Sequence, residues 1–492
     1  MKKLYISIAV IILTLIVILF VSSCKSEKPD ESGKESTKET IGEEDTTEEV
    51  EYEFPNIKYG GEFNFLCRNY PWLPNFDIVL EEEVGEAFGD SIYYRNMQIE
   101  EQFGIKLKQM AFHPDDVLNK ARIFIQAGDD TYDAMVIPHA WGGYIGVLAL
   151  EGYYCYDLNT LPELNLDKPW WTQYVNKQLK IGASDSLYFA ANDIEIFNMQ
   201  SMMNLYVNEK IIQDLGLDMP YDLVKEGKWT LDEYEKYVKA AVNLNGDETF
   251  RWNKNGNSIY GHASFHMGAT AMLFGTGVKL IDFDEKNLPY FCGDNERFYN
   301  AVQKLASILS EPGHYIYADT TGADRVIEVF MPNRSIFMDS TIYACYSLRD
   351  MDDPFGILPM PKYDTNQEDY ITIIHPVSSF TVIPSTNENP GKAATILDAM
   401  AYITYKDVRP KYYESVLPYK HLRTEIALEM LDILMETRSI HTGYVYNWTT
   451  DLLNNDMRMI IQSSDPNIAS LIDSRKDSIV ANIEKTLDFF KQ

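Results

Sequence analysis

Between Glu62 and Ile137 the chain alternates two kinds of segment, and this alternation restricts the fold more than any other feature. Glu62-Phe-Asn-Phe-Leu66, placed after Gly60-Gly61, reads as a strand. Asp90 to Phe103 sets Ile92, Asn96/Met97, Ile99 and Phe103 at helical spacing. A second strand begins at Lys106-Leu-Lys108, and a second helix spans Asp115 to Gln126 with Leu118, Arg122 and Ile125 aligned. Tyr132-Asp-Ala-Met-Val-Ile137 is an apolar run of buried-strand length. Strand–helix–strand–helix–strand order predicts an α/β fold with a mainly parallel sheet and helices on its faces.

A second region of the same class starts near Ser201. Met202 to Val207 predicts a strand, and Glu209 to Leu215 a helix stopped by Gly216. Thr230-Leu-Asp-Glu233 has the form of a capping box, opening a helix that presents Tyr234, Tyr237, Val238 and Ala241. Arg297 to Leu309 is amphipathic, while Ser335–Met338 and Phe355–Leu358 are short strands. Asn389-Pro390 supplies an N-cap with proline at the first helical position. From Asp465-Pro466 onward the chain is helical, with Ile468, Ile472, Arg475, Ile479, Ile483 and Leu487 on one stripe.

The N-terminus has a different character. Lys2 and Lys3 precede an apolar run from Ile6 to Phe20, broken only by Ser7 and Thr14, and Val21-Ser22-Ser23-Cys24 follows. The pattern predicts a signal peptide over 1–23 and a diacylglyceryl group on Cys24. An uncleaved anchor is the competing reading, because the run approaches the ~20 residues of a membrane span. Both readings place the rest of the chain outside the cytoplasm, held at the cell membrane. Residues 24–55 are rich in Glu, Ser, Thr and Lys, as in Glu35-Ser-Thr-Lys-Glu39, and predict a disordered acidic tether. About thirty flexible residues reach roughly 30 Å.

The 492 residues leave too long a chain after the tether for one small core, so two lobes are expected. A formal net charge of −31 argues against nucleic acid, because no basic stripe exists to displace phosphate counterions. Beyond Cys24, the cysteines Cys67, Cys155, Cys292 and Cys345 lack Cys-x-x-Cys spacing, and disulfides or free thiols are both compatible with them. The eight histidines are dispersed without a metal pattern, so no metal or cofactor is expected. Neither a Gly-x-Ser-x-Gly elbow, a His-Glu-x-x-His helix nor a phosphate loop occurs. With 74 acidic residues, a glycosidase-like carboxylate pair stays open as the enzymatic alternative.

Four stretches, in order and spacing, resemble the family 1 extracellular solute-binding proteins. They are Tyr132–Pro138 with Leu148–Leu158; Leu187–Asp193 with Asn204–Lys210 and Leu215–Pro220; Trp229-Thr-Leu-Asp-Glu233; and Phe355–Pro361 with Phe380–Pro384 and Asn389–Ala394. The resemblance implies a two-lobed periplasmic-binding-protein type II-like fold, with a hinge and an interlobe cleft. It places 57–195 plus 340–380 in lobe 1 and 196–339 plus 381–492 in lobe 2. It also implies a monomeric, non-enzymatic lipoprotein that captures a carbohydrate, an oligosaccharide in the first instance, and delivers it to an ABC permease. A ligand sensor for a membrane kinase is a further alternative.

A sugar pocket needs aromatic platforms, together with carboxylates and amides that match hydroxyls. Trp141 lies at the C-terminal end of the Tyr132–Ile137 strand, where open α/β sheets hold ligands. Asn192 and Asp193 fall on the first crossing between lobes, and Asp339 and Ser340 on the second. His375 lies near the third crossing, Trp72 follows the first strand, and Tyr444 and Trp448 are placed to close the cleft. Trp170 and Trp171 read as buried indoles at a helix start, and Trp229 as a helix staple.

Overall fold

The computed structural model describes residues 51–490 apart from 70–76, 184, 266, 318–323, 417–424 and 465. The leader, Cys24, most of the tether and Trp72 lie outside the described residues.

In chain order the strands are β1 (Glu62–Arg68), β2 (Lys106–Phe112), β3 (Ala134–Pro138), β4 (Met203–Asn208), β5 (Tyr260–Ser264), β6 (Ile281–Phe283), β7 (Pro289–Phe291), β8 (Tyr315–Tyr317), β9 (Ser335–Thr341), β10 (Phe355–Leu358), β11 (Thr372–Ile373), β12 (Ser379–Val382) and β13 (Arg438–Ser439). β1, β2 and β3 run parallel, as their helical connections require. β12 returns antiparallel to β3, giving the order β12-β3-β1-β2. Phe63, Phe65 and Leu66 of β1 are fully buried, each stabilising the fold by about 1.5–3 kcal/mol. Helices Ala87–Phe103 and Pro114–Gln126 cover this sheet; the first ends at Gly104, whose φ of 64° is left-handed.

The second sheet has the order β10-β4-β9-β5-β8. β5 is parallel to β8 and β9, whereas β4 is antiparallel to β9 and β10. Its core gathers Trp229, Tyr234 and Phe337, with ring centroids 5.3–6.4 Å apart. The expected capping box is absent. The helix does run Leu231–Ala241, yet the Thr230 side chain makes no cap bond. Instead Leu231 N donates to Lys362 O at 2.8 Å, so the helix entry is fixed by a neighbouring strand-like segment.

Strand membership corrects the expected lobe boundaries. Residues 340–380 were assigned to lobe 1, but β10 pairs with β4 in the second sheet. Residues from 381 onward were assigned to lobe 2, but β12 completes the first sheet, and the helix Pro390–Ile403 packs on Ala87–Phe103. An apolar run buried on both faces carries no sign of which sheet it will join.

The segment 151–191 belongs with the first sheet: Tyr156 N donates to Ile383 O, and Ala190 bridges Thr381. Trp170 and Trp171 are buried there, and both indole N–H groups donate to Asp398 Oδ1, at 2.9 and 2.8 Å. The terminal helix Ile468–Phe490 buries Ile472, Ile479 and Ile483 and packs on β7 and helix Glu296–Leu309 of the second lobe. Its far end crosses to the first lobe, where the Phe489 ring lies 4.5 Å from Tyr153 and 5.9 Å from Tyr188. Cys67, Cys155, Cys292 and Cys345 are all free thiols. Among the described residues, no helix is long and apolar enough to cross a membrane.

Candidate ligand-binding site

β3 ends in Pro138-His139-Ala140-Trp141-Gly142. At Gly142, φ is 67° and a Cβ would lie 2.5 Å from Asp115 O, so the loop folds tightly over the start of helix Pro114–Gln126. This turn carries Trp141 to the surface, 37% exposed, with its Nε1 donating to Asp115 Oδ1 at 2.7 Å. In the second sheet, β5 ends at Ser264 and delivers Phe265. His375 comes from the chain between β11 and β12; its backbone N donates to Ser201 O, and its Nδ1 accepts from Val377 N at 3.2 Å. The His375 ring lies 6.3 Å from Trp141 on one side and 6.3 Å from Phe265 on the other, nearly parallel to the latter. Three rings from two strand ends and the connecting segment therefore meet between the sheets.

Asp339 and its neighbours support Phe265. Asp339 is fully buried within β9, and its Oδ1 accepts from Phe265 N at 3.2 Å. Oδ2 lies 2.9 Å from His262 Nε2, with the two misaligned for a hydrogen bond. His262 Nδ1 in turn meets Tyr234 OH at 2.7 Å. A Cβ on Gly268 would fall 1.8 Å from Asp339 Oδ2, so glycine is what allows the carboxylate to sit there. Asp339 thus positions the platform and is itself covered.

The first crossing is held by three buried arginines. Arg438 of β13 grips Asp193 through Nη1–Oδ1 at 2.6 Å and Nη2–Oδ2 at 3.3 Å. Arg95 donates to Ile194 O at 2.9 Å, to Thr404 Oγ1 at 3.0 Å and to Ile78 O at 2.6 Å. Arg68, at the end of β1, meets Glu195 with Nε–Oε1 at 3.1 Å and lies over the Phe197 ring. Burial raises the Asp193 carboxyl, but Arg438 and Arg409 outweigh it and hold the group below the usual range. For Glu195 the balance is reversed: burial outweighs Arg68 and pushes the carboxyl up. Burial lowers Arg95 to about 9, with no carboxylate beside it.

The structure therefore separates the expected site residues. Trp141 and His375 come together, with Asp339 one residue behind the cluster. Asp193 is consumed by Arg438 rather than left for a ligand. Asn192 is 2% exposed, donates to Thr381 Oγ1 at 2.8 Å and caps Ile194 N, so it ties the crossing to β12. Ser340 is buried opposite Asn204 in the β4–β9 register. Tyr444 is buried with its hydroxyl on Asn454. Trp448 is 2% exposed, stacks on Tyr446 at 4.8 Å and donates to Thr486 Oγ1 at 2.8 Å. Both side chains pack the C-terminal region instead of lining the ring cluster. Phe265 was not foreseen, because Tyr260-Gly-His-Ala-Ser264 lacks any strand-like apolar pattern.

No family model matches the chain, and no curated protein matches it in sequence. Solved structures do match. An ABC substrate-binding protein of Listeria monocytogenes in complex with cycloalternan is 13% identical with a TM-score of 0.54, over 87% of this chain and 100% of its own. A cyclic alpha-maltosyl-1,6-maltose binding protein of Arthrobacter globiformis is 13% identical with a TM-score of 0.56, over 86% and 99%. A sugar transporter of Rhizobium etli in an open conformation is 10% identical with a TM-score of 0.56, over 86% and 99%. The chain has the two-lobed α/β, type II periplasmic-binding-protein fold that these solute-binding proteins share.

Proposed function

We propose that the protein is the solute-binding component of an ABC importer, capturing a carbohydrate between its lobes and passing it to a membrane permease. The observation that carries this reading is the Trp141–His375–Phe265 cluster. It offers an exposed indole, backed by the buried His375 and Phe265 rings, where strand ends of both lobes converge, so hinge closure would bring the second lobe toward a ligand stacked on Trp141. Flat rings with polar edges suit sugar faces. Oligosaccharides are the first class to test, and cycloalternan and maltotetraose, bound by structural neighbours, are the first probes to use.

Calorimetric titration of the full chain against a glycan panel tests this. At least one mono- or oligosaccharide is expected to bind, and Trp141→Ala is expected to weaken it by about tenfold or more. No binding across the panel removes the carbohydrate assignment, and turnover of a chromogenic glycoside would favour a hydrolase instead. The leader supports lipid anchoring at Cys24, on the extracellular side of the cell membrane. Cells fed labelled palmitate are expected to mark the native protein and leave Cys24→Ser unlabelled. Equal labelling of both would rule the anchor out.

A further inference from the structure

A cavity of about 1200 Å³ lies apart from the ring cluster and shares none of its residues. One wall is the first-lobe segment 158–187, the other is the β6–β7 hairpin with the end of the helix Gly268–Gly275, and the β11–β13 ribbon contributes Ile371, Ile373 and Ser439. The hairpin is fastened to the opposite wall at Asn287, whose Nδ2 donates to Lys180 O and Asp185 Oδ1, each at 3.1 Å, while its carbonyl accepts from Gly182 N. The cavity is therefore a built space tied across at the hairpin, somewhat larger than the roughly 300–1,000 Å³ typical of ligand sites.

Its lining defines the ligand class. Leu161, Leu166, Phe283 and Ile371 line it while only half-buried, so apolar surface remains for a guest to cover. Lysines 177, 180 and 279 are matched by aspartates 167, 185 and 282, which leaves no net charge to attract an ion. Two of the lining amides are already bonded: Asn176 pairs with the backbone of Ala191, and Gln178 bonds Ser439 and Ile440 N. His441 differs. It lines the cavity, is 8% exposed, and its Nδ1 has no partner among the described residues. Phe274 flanks it with ring centroids 4.4 Å apart, and burial lowers it to about 3, so the imidazole is neutral at ordinary pH. A hydroxyl, which both donates and accepts, satisfies either tautomer of a neutral imidazole.

We propose that this cavity is a second ligand site, for a neutral amphiphile with an apolar body and a hydroxyl that bonds His441.

Paired probes test it on the full chain: 2-naphthol and naphthalene share a body and differ by the hydroxyl. Fluorescence titration is expected to give saturable one-to-one binding of 2-naphthol, with a Kd of roughly 100 µM. Naphthalene is expected to bind about fivefold more weakly, and His441→Phe to abolish that difference. Ile371→Trp and Leu166→Trp, placed at half-buried wall positions, should each weaken 2-naphthol at least tenfold while melting within a few degrees of the native protein. The proposal is overturned if the native protein shows no saturable binding, if both folded tryptophan variants bind 2-naphthol like the native chain, or if His441→Phe leaves the preference for the hydroxyl intact. None of these readouts depends on carbohydrate binding, so its failure and that of the importer reading are separable.

Discussion

Arg438→Met is expected to lower the unfolding free energy by about 3–5 kcal/mol, the usual cost of leaving one member of a buried pair without its partner. The stranded group would be Asp193, 8% exposed on the first crossing, with both oxygens bonded to Arg438 in the native fold. The double variant Arg438→Met with Asp193→Leu removes both charges and is expected to recover most of the loss, because a pair replaced by apolar groups is often neutral. Urea unfolding of the two variants at pH 7 decides the matter. A single variant as stable as the native chain would show that the pair contributes little to holding the crossing.

The second large effect is a loss of stability in mild acid. His139 is buried, stacked 5.0 Å from Phe380, with Nδ1 3.0 Å from Ser378 O; burial lowers it to about 3, against the favourable Ser378 carbonyl and with a small push from Arg68. Burial lowers His441 to about 3 as well. Both imidazoles titrate near 6.5 when unfolded. Above pH 6.5 neither state binds their protons, and stability is fully present. Below it, only the unfolded chain takes them up, so stability falls by about 1.4 kcal/mol per pH unit for each histidine until pH approaches 3. From pH 6.5 to 4.5 the pair costs about 5 kcal/mol, comparable with the whole stability of many domains.

Two carboxyls modify the slope with opposite signs. Glu195 is raised above 4.5, so the folded state gains its proton first, and that gain offsets part of the loss. Asp193 is lowered below 3.8, so its contribution is lost as pH falls through and below about 3.8, beneath the pH 7 to 4.5 range measured. Unfolding measured from pH 7 to 4.5 should show the decline, and His441→Phe should remove about half of it. A flat profile over that range would mean that the two rings are protonated in the folded state.

The pattern of strands and helices was legible where side-chain periodicity was strong. β1, β3, the two helices between them and the helix Glu209–Leu215 fall close to the expected limits. β5 was not legible, because Gly261, His262 and Ser264 are central-strand residues of no strand-like pattern, and His262 Nδ1 finds its partner in the distant Tyr234. The candidate site divides along the same line. Trp141 was readable because its position at a strand end is a local property. Asp193 misled because its partner Arg438 is 245 residues away, and nothing near either residue marks the pair. Tyr444 and Trp448 look like cleft aromatics by type, yet their polar edges find Asn454 and Thr486 inside the C-terminal packing.

The helix Ile468–Phe490 has a consequence for how the molecule folds. It packs on the second lobe, and its Phe489 reaches Tyr153 and Tyr188 of the first. The first sheet itself waits for β12, more than two hundred residues after β3. The full first sheet and the bridge between lobes therefore both depend on contacts distant in sequence, β3 with β12 and Tyr153 with Phe489. An apolar first sheet held open that long is exposed to mispairing. The chain is in this sense closed by long-range contacts, with the helix Ile468–Phe490 joining its two halves.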